Sequence, residues 1–207
     1  ASSIFSLLAQ DFTDTYEIIV IDDGSTDSSK QILLSLPKDE RLDIIINQTN
    51  IGVANTLNNG FNLAKGEYLC RLDGDDQWEP SFLRELSYIL DNNLTIAMVY
   101  CDCSYLDSDD IVTNENVKTR RKATTHIGNE FKDLVNDYYI TSPTIMFRKT
   151  FLDSVFPLPS DLKFLDWYLA LRVGRYNEIY YLEKCLAKYR IHPNGMHVTM
   201  VRDLYGE

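Results

Sequence analysis

Two clusters of aspartates in this chain carry side chains able to do chemistry. The run Glu17-Ile18-Ile19-Val20-Ile21 leads into Asp22-Asp23-Gly24-Ser25-Thr26-Asp27, and Tyr68-Leu69-Cys70-Arg71-Leu72 leads into Asp73-Gly74-Asp75-Asp76. Each cluster follows an apolar stretch that reads as a strand, so each falls just beyond a strand's carboxyl end, where an open parallel sheet builds its site. Carboxylates packed this closely repel one another, and burial sharpens the repulsion. A divalent cation or a hydroxyl-rich ligand would relieve it. Asp22, Asp23 and Asp27 suit turn and cap positions equally well, whereas Asp73, Asp75 and Asp76 are more aspartates than one turn needs.

Other ion- and phosphate-binding patterns fail on spacing. A calcium loop of the EF-hand type needs oxygen ligands at positions one, three and five, glycine at six and glutamate at twelve. Counted from Asp73, position six is Trp78 and position twelve is Arg84; counted from Asp107, position five is Ile111. Neither GxGxxG nor GxxxxGK[ST] occurs, which removes the main support for a dinucleotide or P-loop site. Cys70, Cys101, Cys103 and Cys185 form no CxxC pair and read as reduced thiols of a cytoplasmic protein. Cys101 and Cys103 would share one face of a strand, but two ligands do not make a zinc site. Among the histidines, His126 and His197 read as solvated, and no HExxH is present.

These groups must be positioned by a chain of 207 residues, enough for one domain with a substantial core. Hydrophobic residues make up 44% and charged residues 25%, which excludes intrinsic disorder and a collagen-like or coiled-coil architecture. No apolar run approaches the roughly 20 residues of a membrane span, and no signal peptide is visible, so a soluble protein is expected. Twenty Lys and Arg against 31 Asp and Glu give a net charge of -11, which argues against binding nucleic acid through its phosphates. An anionic substrate would need a local source of positive charge.

Short β-rich runs alternate with amphipathic stretches, the rhythm of an α/β fold with a mostly parallel sheet. Strands are predicted over Glu17 to Ile21, Asp43 to Ile46, Glu67 to Leu72, Ile96 to Tyr100, Thr144 to Phe147 and Ile179 to Leu182. Helices are predicted over Ser3 to Gln10, Ser25 to Leu36, Val53 to Lys65 and Pro80 to Leu90, from cap residues, Gly66 and the prolines. No strand precedes the first helix, so a first strand is expected to be missing. Residues 106 to 130 are polar and read as a long excursion from the sheet. The basic run Lys118 to Lys122 within them is read as a solvated loop, with contact to an anionic membrane surface as the other reading.

The succession Asp22-Asp23-Gly24-Ser25-Thr26-Asp27, then Asn50-Ile51-Gly52-Val53-Ala54 with Gly60 and Ala64-Lys65-Gly66-Glu67-Tyr68, then Leu72-Asp73-Gly74-Asp75-Asp76, resembles the family 2 inverting glycosyltransferases. Met146-Phe147-Arg148 and Tyr189-Arg190-Ile191-His192 resemble that family's second half. The resemblance runs from about residue 1 to about 195. It implies the nucleotide-diphospho-sugar transferase (GT-A) fold, a Rossmann-like α/β/α sandwich with a mixed, mostly parallel central sheet. A single domain spans 1–207, with a nucleotide-sugar half at 1–100 and an acceptor half at 101–207.

The resemblance also implies roles. Asp22 and Asp23 would receive the nucleotide's base and ribose, and Asp73 would sit near the ribose. Asp75 would hold a Mg²⁺ or Mn²⁺ ion on the diphosphate, with Asp73 and His192 as further candidate ligands and Asp76 assisting or shaping the turn. A hard cation bound by one or two carboxylates and completed by phosphates is the usual arrangement. In the segment Lys163 to Arg172, Asp166 is the candidate general base, with Leu165 where the family commonly has glutamate; Asp161 and Asp153 are the alternative bases nearby. Asp166 could instead simply cap the helix that follows. Trp78, Trp167 and Tyr168 are candidate platforms for a sugar ring, although core packing explains Trp167 as easily.

The expected activity is metal-dependent transfer of a sugar, hexosyl or N-acetylhexosaminyl, from a nucleotide donor, UDP-linked by preference. The acceptor would be a hydroxyl of a glycan or lipid-linked saccharide, with inversion, at the cytoplasmic face of the membrane during synthesis of bacterial surface polysaccharide. The other reading is a non-catalytic module of the same fold that binds a nucleotide sugar or a glycan.

Overall fold

The computed structural model describes residues 2–117 and 126–191. Helix α1 (Ser2–Leu8) is followed by β1 (Ile18–Asp22), α2 (Ser29–Leu34), β2 (Leu42–Ile46), α3 (Val53–Leu63), β3 (Tyr68–Cys70), β4 (Gln77–Trp78) and α4 (Phe82–Asn92). The second half contains β5 (Ile96–Leu106), β6 (Val112–Val117), β7 (Ile127–Gly128), α5 (Phe131–Asn136), β8 (Ile145–Arg148), α6 (Leu165–Gly174) and β9 (Glu178–Arg190). Two 3-10 turns, Ser142–Thr144 and Lys149–Phe151, bracket β8.

The strands fall into two sheets. β1 and β2 form a parallel pair, and β3-β8-β5-β9-β4 form the larger sheet, with β6 on β5 and β7 on β9. The mixed α/β architecture is the one expected, but antiparallel pairing has a larger share than the βαβ rhythm implies. Among the described residues only β1 with β2 and β5 with β9 run parallel. The reason lies in the second half, where β6 folds straight back on β5, and β8 returns antiparallel to both β3 and β5. The excursion predicted for 106–130 therefore contains two strands, which its polar composition concealed.

β5 is the spine of the molecule. It alternates between two hydrophobic clusters, Met98 and Tyr100 packing into one and Val99, Cys101 and Cys103 into the other, and all five are buried. A strand buried on both faces reads as an unbroken apolar run, which is how Ile96 to Tyr100 appears in the sequence. Helices cover both faces through residues spaced four apart: Phe82, Leu86 and Leu90 of α4, and Leu165, Leu169 and Val173 of α6, are all buried. Across the described residues no helix is long and apolar enough to cross a membrane.

The loop after β1 is fixed by close backbone approach. Gly24 has φ of +74°, and a Cβ placed there would lie 2.6 Å from the Asn50 nitrogen and 2.6 Å from the Thr49 carbonyl carbon. Only glycine fits such a contact without displacing backbone. Gly24→Ala should therefore lower stability by about 1–2 kcal/mol from the left-handed conformation alone, with the clash adding to it. Urea unfolding would read this; an unchanged midpoint would contradict the packing of the 22–27 loop on residues 49–50.

Candidate active site

Arg71 joins two of the predicted site residues. Its guanidinium grips Asp73 through both carboxylate oxygens, Nε to Oδ1 at 2.8 Å and an NH2 contact to Oδ2 at 3.0 Å. The remaining nitrogen donates to Asp166 Oδ1 at 3.0 Å. Asp73 stands just beyond β3 and Asp166 in the first turn of α6, so one cation draws the donor-side loop and the candidate base into one place. Asp166 is not the helix cap: that position is Phe164, with no side-chain cap bond. Burial pushes the Asp166 carboxyl above its ordinary value, Arg71 pulling it down and Asp73 pushing it up. Leu165, where the family commonly has glutamate, is buried in the core and belongs to α6's apolar stripe. Asp153 and Asp161 are both exposed.

The rest of the 73–76 loop is held from the opposite side. Asp75 is exposed, while Asp76 is 1% exposed. Asp76 Oδ1 accepts the Arg190 backbone N–H at 2.8 Å, and its Oδ2 is buried with no hydrogen-bond partner among the described residues. Burial pushes the Asp76 carboxyl up to about 8, the Arg190 N–H opposing this and the charges of Asp75 and Asp73 adding to it. Arg190, at the end of β9, also donates through Nε to the Asp75 carbonyl at 2.8 Å and pairs with the Asp107 carbonyl and the Asp110 carboxylate. It thereby ties the loop to the tip of the β5-β6 hairpin. Ser3 Oγ anchors the loop again by donating to the Gly74 carbonyl at 2.9 Å.

Asp22 and Asp23 stand at the carboxyl end of β1, in the smaller sheet. Asp23 is occupied by its own chain: it accepts from Asn47 Nδ2 and Ile51 N through Oδ1 and from Gly52 N through Oδ2, all at 2.9 Å. Desolvation works to raise its carboxyl, but these bonds outweigh it and hold the group below its ordinary value. Asp23 thus shapes the 47–52 loop. Asp22, 7% exposed, accepts from Ser25 N at 3.1 Å and keeps Oδ2 buried without a partner among the described residues.

Of the predicted aromatic platforms, Trp78 is withdrawn into the core. It is 6% exposed, stacked on Phe82 at 4.0 Å, and its Nε1 donates to the Pro143 carbonyl at 2.7 Å. Its apolar neighbours bury the ring and leave no face for a ligand. Trp167 is partly exposed beside Asp166, with Nε1 bonded to the Leu134 carbonyl at 2.6 Å. The Tyr168 hydroxyl accepts from Arg172 at 2.9 Å. His126 is exposed, with Nδ1 placed 3.1 Å from the Tyr181 carbonyl. Cys101 and Cys103 pack into one buried cluster, and no disulfide joins any of the four cysteines. His192, His197 and Lys118 to Lys122 lie outside the described residues.

The donor set suits a hard divalent cation. It is made of carboxylate oxygens, one of them buried without a partner, and the described residues contain no group of three His, Cys, Asp or Glu that could hold a metal by themselves. A cation here would rest on one or two carboxylates and draw its other ligands from phosphate. Arg71 already engages both oxygens of Asp73, which makes Asp75 the more accessible ligand of the two.

The model of glycosyl transferase family 2 matches residues 1–156. The chain belongs to that family. An uncharacterised glycosyltransferase of Nostoc sp. strain PCC 7120 is 30% identical over 213 residues, covering 95% of this chain and 62% of that protein. The crystal structure of S. aureus TarS 1-349 in complex with UDP-GlcNAc is similar with a TM-score of 0.68 at 24% identity, covering 95% of this chain and 56% of that one. The mannosyltransferase PcManGT from Pyrobaculum calidifontis, in complex with GDP-Man and Mn²⁺, gives a TM-score of 0.71 at 17% identity, covering 97% and 55%. The fold is that of the GT-A glycosyltransferases. The chain spans less than two thirds of the length of these proteins.

Two residues of this family 2 chain that position the site carried no signal of their own in the sequence. Arg71 sits inside a predicted strand, and Arg190 inside a motif noted only for its histidine. Arg71 had its place two residues before Asp73 as a cue, whereas Arg190 lies 114 residues from Asp76 and had no local one.

The buried Asp76 makes a signed prediction for the metal-free protein. A carboxyl whose folded value is raised from 3.8 to about 8 costs nothing below the lower value and an increasing amount as pH climbs toward the upper one. Asp76→Asn should therefore gain melting temperature relative to the parent between pH 4 and 8, and the difference should level off above 8. A difference independent of pH would contradict the burial of an ionisable group there.

Proposed function

We propose that this chain carries the donor site and catalytic base of an inverting glycosyltransferase. It would move a sugar from a nucleotide-diphospho-sugar, UDP-linked by preference, to a hydroxyl of a glycan or lipid-linked saccharide. The observation that supports this most directly is the Arg71 bridge, which draws Asp73 of the donor loop and Asp166 of α6 onto one guanidinium. Donor binding and base catalysis need that proximity, because in-line attack requires the base on the far side of the anomeric carbon from the leaving diphosphate.

In this reading the acceptor oxygen attacks the anomeric carbon and forms the new glycosidic bond while the bond to the diphosphate oxygen breaks. Asp166 takes the acceptor's proton, and the nucleoside diphosphate leaves with the electron pair. A Mg²⁺ or Mn²⁺ ion held by Asp75, with Asp73 and His192 as further ligands, would neutralise charge on the diphosphate. Asp22, with its unpartnered buried oxygen, would accept from the nucleoside. Residues 1–100 serve the donor in this scheme and 101–207 the acceptor. The UDP-GlcNAc complex of TarS and the GDP-Man and Mn²⁺ complex of PcManGT are consistent with a nucleotide-sugar donor. A role in surface polysaccharide at the inner face of the membrane extends the same proposal.

Asp166→Asn should lower transfer by about 10²-fold or more while nucleotide-sugar binding persists, whereas Asp75→Ala should weaken both. Burial raises the Asp166 carboxyl, so the acid limb of the rate profile should lie above 3.8. Steady-state kinetics with a panel of UDP- and GDP-sugars would read all three. If Asp166→Asn transfers sugar as fast as the parent, the base is assigned wrongly.

A further inference from the structure

The described residues leave four buried side-chain oxygens without a hydrogen-bond partner: Asp22 Oδ2, Thr56 Oγ1, Asp76 Oδ2 and the Tyr138 hydroxyl. Two of them belong to carboxylates already placed at the candidate site. Tyr138 belongs to neither aspartate cluster, yet its surroundings are those of the site. Its ring stacks on Trp167, the residue after Asp166, with centroids 5.9 Å apart and planes at 26°. Its charged neighbours are Asp166 and Arg71, the two partners of the bridge described above.

Among the described residues, other buried tyrosine hydroxyls are satisfied. Those of Tyr100 and Tyr139 donate to Glu130 Oε2 at 2.8 and 2.7 Å, and that of Tyr181 donates to Asp102 Oδ2 at 2.7 Å. A buried hydroxyl without a partner costs stability, and phenylalanine in its place would fill the same volume at no such cost. The phenol of Tyr138 is therefore better explained by something it bonds during function than by packing. The ring is held against Trp167, whose Nε1 is in turn fixed on the Leu134 carbonyl at 2.6 Å, so the hydroxyl is presented by a braced pair.

We infer that Tyr138 is a specificity-determining residue whose hydroxyl hydrogen-bonds the sugar delivered by the donor between Asp73 and Asp166. This rests on the glycosyltransferase reading of the same site. For in-line attack the transferred ring must lie within a few ångströms of the base, and the Tyr138 ring is stacked on Trp167, the residue next to Asp166 in the chain. A hexose offers hydroxyls that can accept from, or donate to, a phenol. A site that hydrogen-bonds a ligand hydroxyl through a buried group discriminates against ligands lacking it, because the buried group is then left unpaired.

Tyr138→Phe removes the one oxygen and tests this. With MnCl₂ present, calorimetric titration of parent and variant with UDP, UDP-glucose, UDP-GlcNAc, GDP and GDP-mannose gives the ratio of nucleotide-sugar affinity to that of the matching nucleoside diphosphate. For the sugar that the parent prefers, that ratio should fall about 5- to 10-fold in the variant. Diphosphate binding should stay unchanged, and the melting temperature should be equal or higher. An unchanged ratio would overturn the inference, as would an equal loss for nucleotide sugar and diphosphate, which would mean that the phenol acts on the whole site rather than on the sugar. A parent that binds none of the five would overturn the glycosyltransferase reading and this inference with it.

Discussion

A single guanidinium shared by two carboxylates organises this molecule. Arg71 reaches Asp73 two residues away and Asp166 ninety-five residues away, and the three side chains are only 20–35% exposed. A planar fork with five N–H donors can hold one carboxylate by two bonds and a second by another, which an ammonium cannot match in geometry. Removing charges from water is costly, so a pairing of this kind persists where the surrounding elements hold its members in place. The segment just after β3 supplies both Arg71 and Asp73, and the apolar stripe of α6 fixes the turn that carries Asp166.

The acidity of the chain takes on a definite shape around this pairing. Positive charge is scarce overall, with a net charge of -11, and the 73–76 loop is served by two arginines from opposite sides. Arg71 pairs with Asp73 and with Asp166, the candidate base. Arg190 spends its donors on the loop backbone, on Asp76 and on the β5-β6 hairpin, and leaves the Asp75 carboxylate on the exposed side. The loop is thereby tied to the core at Asp76 and exposed at Asp75. The oxygens of Asp22, Asp76 and Tyr138 are buried polar groups that the described residues leave unsatisfied.

Much of this was legible in the sequence, for reasons specific to each element. Phe82, Leu86 and Leu90 announce a helix by their spacing, and Ile96 to Tyr100 announce a strand buried on both faces. The Asp22-Asp23-Gly24 and Asp73-Gly74-Asp75-Asp76 runs sit beside predicted strands, so their place at the strand ends followed from local pattern alone. Less accessible was whatever depends on long-range pairing. β6 and β7 lie in a polar stretch without apolar alternation, and it is their bonds to β5 and β9 that make them strands. Arg71 looked like one polar residue within a strand, because Asp166 becomes its neighbour only once β3 and α6 are packed. Trp78 misled in the other direction: its position beside the acidic loop suggested a ligand platform, while β4 turns it toward Phe82 and the core. Tyr138 is distinguished by a hydroxyl that no described residue bonds, which no local pattern records.

The most direct measurement is the position of a manganese ion in a crystal of this protein grown with UDP and MnCl₂, located by its anomalous scattering. An anomalous peak in contact with Asp75, on the side of the loop that faces the Arg71–Asp166 pair, is the expected result. A peak on some other surface, with the pair still formed and the loop empty, would contradict the claim that one guanidinium assembles donor site and base into a single cleft.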